Sequence, residues 1–138
     1  MFDKIFSGAT MTALKQGLDT AALRQQVISD NIANVNTPGF KRSYVTFETE
    51  LRGALSREKG KIEARRTHPK HIHFGRVDLS EIKGRVVIED YTLYRNDENN
   101  VDIDAEMTDL AKNTIMYEAL ATRIGGKFRR LKRIITSR

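Results

Sequence analysis

Two apolar stripes at heptad spacing bracket this sequence, and they limit its possible folds more than any other feature. The first runs Met11, Leu14, Leu18, Ala21, Gln25, Ile28, Ile32, Val35. The second runs Ile103, Met107, Leu110, Thr114, Tyr117, Ala121, Ile124, Phe128, Leu131, Ile135. Steps of three and four alternate throughout, the a/d spacing of helices that pack along their length. At about 1.5 Å per residue the N-terminal helix would be roughly 40 Å long and the C-terminal one roughly 50 Å. One amphipathic face on an ordinary core is the alternative, but a compact globule of 138 residues has little room for two such rods. The predicted fold is mainly α, with long N- and C-terminal helices forming a coiled-coil domain around a small loop-rich middle. Three segments follow: 1–42 holds the first helix and an Asn-rich turn, 43–100 is a variable middle, and 101–138 is the C-terminal helix.

The first stripe is cut off by Ser29-Asp-Asn-Ile-Ala-Asn-Val-Asn-Thr-Pro-Gly-Phe-Lys-Arg42. Pro38 cannot donate to the helix ladder and moves Thr37 out of the α region. Pro38-Gly39 suits the central positions of a type II turn, where positive φ falls on the glycine. The amides of Asn31, Asn34 and Asn36 can satisfy carbonyls orphaned in the last turn. Farther on, Asp102, Asp104, Glu106 and Asp109 crowd the start of the second helix. Lys127, Arg129, Arg130, Lys132 and Arg133 crowd its end, so both termini complement the helix dipole. Gly125-Gly126 costs about 1 kcal/mol per residue relative to alanine and reads as a close helix approach or slight bend, with a plain weak point as the alternative. Gln25 reads as a polar register-setting position, and Thr114 as a weaker one because its hydroxyl can bond back to its own helix. In the middle, Tyr44 to Ser56 reads as a short helix (Phe47, Leu51, Ala54, Leu55) and 57–85 as a basic, mobile loop. Val86-Val87-Ile88 with Tyr91 to Tyr94 reads as a short hairpin or strand pair, and Asn96 to Asn100 as a turn.

Charge is segregated. The net charge is +6, yet residues 89–109 carry −7, eight acids against Arg95, while 41–88 carry +6 and 127–138 carry +6. A nucleic-acid binder rarely keeps such an acidic block beside its basic face, so the pattern suggests complementarity between copies or partners. There is no cysteine, hence no disulfide framework, thiolate metal site or thiol nucleophile. The first residues lack a secretory-signal pattern, and no run approaches the length of a membrane span. His68, His71 and His73 share a loop interrupted by Pro69 and Lys70, a poor metal site. Asp97 to Thr108 fails as a calcium loop at Val101, Asp102 and Thr108. Phosphate-loop, dinucleotide and nucleophile-elbow motifs are absent. No catalytic, cofactor-binding or metal residue is assigned.

The run Asn31-Ile32-Ala33-Asn34-x-Asn36-Thr37-Pro38-Gly39-Phe40-Lys41 resembles the N-terminal signature shared by bacterial flagellar rod, hook and hook-associated proteins. Asn99-Asn100-Val101-Asp102-Ile103-Asp104-x-Glu106-Met107, continuing through Leu110-Ala111, Asn113, Tyr117 and Ala119-Leu120, is similar to the C-terminal region of the proximal-rod members, as is Gly126-Lys127-Phe128. The larger distal-rod and hook proteins insert whole domains, for which this chain has no room. The resemblance implies a non-enzymatic structural subunit that polymerises helically with copies of itself and other rod proteins, without cofactors. Basal-body base and export-gate proteins are the further implied partners, with no nucleic acid and no membrane insertion. It also implies a periplasmic rod location, reached through the flagellar type III apparatus without a cleaved signal. Another proximal-rod paralogue remains open, as does a basic nucleic-acid-binding coiled-coil protein, which would need neither the Asn-rich turn nor the acidic block.

Overall fold

A computed structural model describes residues 8–59, 79–90 and 96–136. In chain order the elements are α1 (Ala9–Ala33), β1 (Ser43–Thr46), α2 (Glu48–Lys59), β2 (Arg85–Ile88) and α3 (Ile103–Thr136). The architecture is mainly helical, with the two long helices antiparallel. Gly17 lies where an added Cβ would sit 3.3 Å from Leu120, the Ala21 carbonyl meets Asn113, and Asn31 meets Glu106. Asp102 caps α3, its Oδ1 accepting from the backbone N–H of Asp104 and Ala105, and Asp104 and Glu106 occupy the first turn.

The middle departs from its sequence reading in two places. Ser43–Thr46 is a strand where the reading has the short helix begin, because β-branched and aromatic Tyr44-Val45-Thr46 favour a pleated, half-buried surface. The helix instead starts at Glu48, with Glu48 and Glu50 in its first turn. β2 forms where a strand is expected and pairs antiparallel with β1 in the register Ser43↔Ile88 to Thr46↔Arg85. Tyr91 to Tyr94, the other half of the expected hairpin, and the three histidines lie outside the described residues. The expected loop of 57–85 also changes at both ends: 57–59 close α2, and Leu79 and Ile82 are buried with Phe47 and Ala54 in a small satellite core. Gly84 follows at a close approach, where a Cβ would lie 2.9 Å from the Thr20 methyl and 3.0 Å from Val45.

The α1–α3 seam is also rotated from the expected one. On α3, Glu106 and Asn113 are buried, and Leu110, Leu120, Ile124 and Leu131 are half-buried. Ile103, Met107, Thr114, Tyr117, Ala121, Phe128 and Ile135 of the predicted stripe are exposed. Hydrogen bonds decide this: α1 and the following turn hold Glu106 and Asn113 inward, which turns the neighbouring apolar positions outward. On α1, Ala21 and Ile28 are buried, Met11, Leu14, Leu18 and Ile32 are half-buried, and Gln25 is exposed; Val35, just past the helix, is half-buried. α3 runs unbroken through Gly125-Gly126. Among the described residues a Cβ at Gly126 would meet nothing within 4 Å, and one at Gly125 only the Arg129 side chain, so no close helix approach among them accounts for the pair.

Burial is concentrated at one end of the helix pair. No described residue of α1 before Thr20, and none of α3 after Asn113, is buried. Regions with few buried contacts open most readily, so amide exchange of the dilute chain should be slow across Asn31–Arg42 and Val101–Asn113. It should be fast in 9–16 and 124–136. Uniformly slow exchange along both helices would contradict this gradient.

Candidate functional site

The two motifs that resemble the axial-protein signatures meet in space and hold one another. α1 stops as its last carbonyls find local donors: Asn34 N–H reaches Asp30 and Asn31, and Asn34 Nδ2 donates to Asp30 O at 2.8 Å. Thr37–Phe40 then forms a turn closed by Phe40 N–H on Thr37 O, with Gly39 at φ 72. The positive φ at Gly39 and the proline before it make this a type II turn. Across it lies Asn99, fully buried, whose Nδ2 reaches the carbonyls of Asn34, Val35 and Thr37 at 2.8–3.1 Å. Its Oδ1 accepts from Val101 N–H. Gly39 N–H donates to Asp97 O and Lys41 Nζ to Glu98 O. Glu98 adopts φ 62, a left-handed conformation uncommon for a residue with a Cβ.

Behind the turn, Asn31 turns away from its own helix end. Its amide bonds both the N–H and the C=O of Ser43, at 3.0 and 2.7 Å, as a neighbouring strand would. The same Nδ2 donates to Glu106 Oε2 at 3.0 Å. Glu106 is completely buried and takes its charged partner from Arg42, whose Nε donates to Oε1. The other arms of Arg42 reach Glu89 and Asp109, each at 3.3 Å. Asn100 accepts from Arg42 N–H and donates to Glu89 O. Burial acts to lower the Arg42 pKa, but the hydrogen bonds and charges of Glu106 and then Glu89 outweigh it, leaving it above its ordinary value. A second contact pins β1 to α1: Arg24 bonds Val45 O and Glu48. Burial would raise the Glu48 carboxyl, and the Arg24 hydrogen bond with backbone N–H groups holds it below the ordinary range.

Within the expected turn motif, Asn31, Asn34, Thr37 and Gly39 enter this interlock, Pro38 shapes it, Ile32 and Phe40 are half-buried beside it, and Ala33 and Asn36 are exposed. Arg42, Asn99, Asn100 and Glu106 are absent from the residues singled out by sequence as site positions. Glu106 and Asp109 read there as dipole acids; here they bind Arg42. Part of the charge complementarity ascribed to contacts between copies is thus met inside the chain. Of the polar seam positions, Gln25 accepts from Asn113 Nδ2 at 3.2 Å. Thr114 bonds back to Leu110 O, so its neighbour Asn113 occupies the seam. Among the described residues no three His, Cys, Asp or Glu side chains converge as a metal site.

Residues 11–41, spanning α1 and the turn, match the family described as "Flagella basal body rod protein". Over 132 residues the chain is 39% identical to the flagellar basal body rod protein FlgB of Bacillus subtilis, covering 96% of each. The chain belongs to the FlgB family. It is 42% identical over 105 residues to FlgB of Borreliella burgdorferi, covering 75% of the chain and 78% of the relative. It is 26% identical to FlgB of Escherichia coli over 99% of both. FlgB proteins are structural subunits of the flagellar rod.

Two predictions follow from the interlock of this FlgB-family chain. Arg42→Ala leaves a buried carboxylate without its cation, at a cost of about 3 kcal/mol or more. Glu106→Leu/Arg42→Met, which removes both charges, should recover much of that loss. Urea unfolding followed by circular dichroism would check the order; a double variant no better than Arg42→Ala would contradict it. At Gly39 a Cβ meets no atom within 4 Å, so the penalty is purely conformational. Gly39→Val should lose about 1–3 kcal/mol and Gly39→Asn distinctly less, because asparagine visits positive φ. Equal losses in the same unfolding assay would refute the conformational account.

Proposed function

We propose that this chain is a proximal-rod subunit that polymerises helically into the hollow shaft of the basal body, transmitting torque and conducting exported subunits. The observation that carries this reading is the uncovered apolar flank of α3. Ile103, Met107, Tyr117 and Phe128 are 45–51% exposed and Ile135 is 63% exposed, beside the face that carries Glu106 and Asn113 and closes on α1. Large apolar patches on a soluble chain mark interaction sites. Here the patch follows a helix for most of its length, as a lateral contact between packed subunits requires. The terminal helices act as one coiled-coil unit, and the predicted stripe is divided between two jobs. Leu110 and Ile124 lie half-buried on the α1 side, Leu131 is half-buried farther along, and the outward residues face neighbouring copies and other rod proteins.

Further parts of the reading rest on kinship with FlgB proteins: a periplasmic position, passage through the flagellar export apparatus, contacts with basal-body base and export-gate proteins, and the lack of any catalysis. No helix among the described residues is long and apolar enough to cross a membrane.

Leu131→Asp places an unpaired charge on the half-buried side of α3, which packed helices tolerate poorly. Lys112→Gln alters an exposed ion pair worth less than about 1 kcal/mol. Cells relying on Leu131→Asp should make the subunit but assemble no rod and fail to swim, while Lys112→Gln cells swim normally. Rods of normal length in Leu131→Asp cells would overturn the assignment.

A further inference from the structure

Among the described residues nothing packs on Gly126, and only the Arg129 side chain comes near Gly125; a groove lies beside them. On α3, Ala119, Thr122 and Gly126 line a shallow open groove of about 820 Å³. Ile115, 69% exposed, stands at one end. Arg123, Lys127, Arg129 and Arg130 border it, and among the described residues Glu118 is its one acid. A helix of 34 residues keeps a costly glycine on an open face only at a loss in propensity. Small side chains on such a face let a second helix come near.

We propose that this groove receives the first turns of α3 from a second copy of the chain. Charge and apolar content together point to that occupant. Asp102 and Asp104 are exposed at the start of α3, and Ile103 and Met107 beside them are 46% and 51% exposed. An acidic, apolar helix start therefore matches a basic groove lined in part by small residues. The two surfaces cannot meet within one molecule. Asp104 and Gly126 are 22 residues apart on one continuous helix, about 33 Å, several times the screening length at physiological salt. The contact joins different patches on successive copies, the kind of heterologous interface that propagates helically. This inference rests on the rod reading above and adds to it which faces of neighbouring copies meet.

The test is sedimentation of the purified full chain over a range of concentration and salt. The wild type should self-associate, less strongly as salt rises. Gly126→Leu is the informative variant, because the two effects of leucine have opposite sign. Its helix propensity should raise the melting temperature by about 2–5 °C, while its bulk should weaken association at least ten-fold. A stabilised chain that no longer associates cannot be explained by misfolding. In a second arm, Arg129→Glu/Arg130→Glu and Asp104→Lys should each fail to self-associate, yet associate when mixed. A chain that stays monomeric under all conditions, or association indifferent to Gly126→Leu and to salt, overturns the proposal. Neither readout involves a flagellum, so such a result leaves the rod assignment to stand or fall on the Leu131→Asp cells.

Discussion

A carboxylate with no solvent exposure, Glu106, is the point on which this small structure turns. Removing such a charge from water costs several kcal/mol, and only close, well-directed partners offset it. Arg42 and Asn31 are those partners, and each is tied to something else. Arg42 also reaches Glu89 and Asp109, and Asn31 also replaces a strand partner for Ser43. α1, the turn, β1 and α3 are therefore positioned by one connected polar network. If any member moves, a buried charge or a buried amide loses its partner. That is a steep penalty against every other register, where a purely apolar seam would allow sliding by a turn.

The rest of the chain is bound far less tightly. The buried apolar set among the described residues is short and contains small members such as Ala21 and Ala54. It lies around the interlock and the satellite core under α2. Beyond Asn113, α3 continues for more than twenty residues with apolar side chains turned to solvent. This division suits a protein whose final environment is other subunits. One end is fixed by internal hydrogen bonds and presents a defined geometry. On the rod reading proposed above, the other end would obtain its burial from neighbouring subunits.

What the sequence revealed follows from how local each interaction is. The helix stop and the type II turn were legible because Pro38 and Gly39 act on the backbone within a few residues of themselves. The two long helices were legible because their stripes persist over many turns. The rotation of the seam was not, since a search for apolar periodicity passes over Glu106 and Asn113 and selects Met107 and Thr114, one residue on. Only partners more than sixty residues away, Asn31, Arg42 and Ala21, draw those polar groups inward. The role of Asn99, though it heads the second motif, was hidden in the same way: its acceptors are carbonyls of the first motif, and carbonyls carry no sequence identity. Leu79 and Ile82 were lost because two apolar residues three apart in a short segment give no measurable period.

Asn113 shows what kind of seam this is. Its Nδ2 is shared between Ala21 O and Gln25, while its Oδ1 is buried without a hydrogen-bond partner among the described residues. An unsatisfied buried carbonyl is a net loss of stability, and leucine at that position would fill the seam better. A polar residue at one seam position of a coiled coil nevertheless fixes alignment at the expense of stability. Glu106 does the same with a charge, two turns earlier on the same face. Two such positions on one helix, both answered from α1 and the turn that follows it, favour a single alignment of the pair over the strongest possible packing. For a subunit that must present identical surfaces at each place in a rod, a uniquely aligned helix pair matters more than a very stable one.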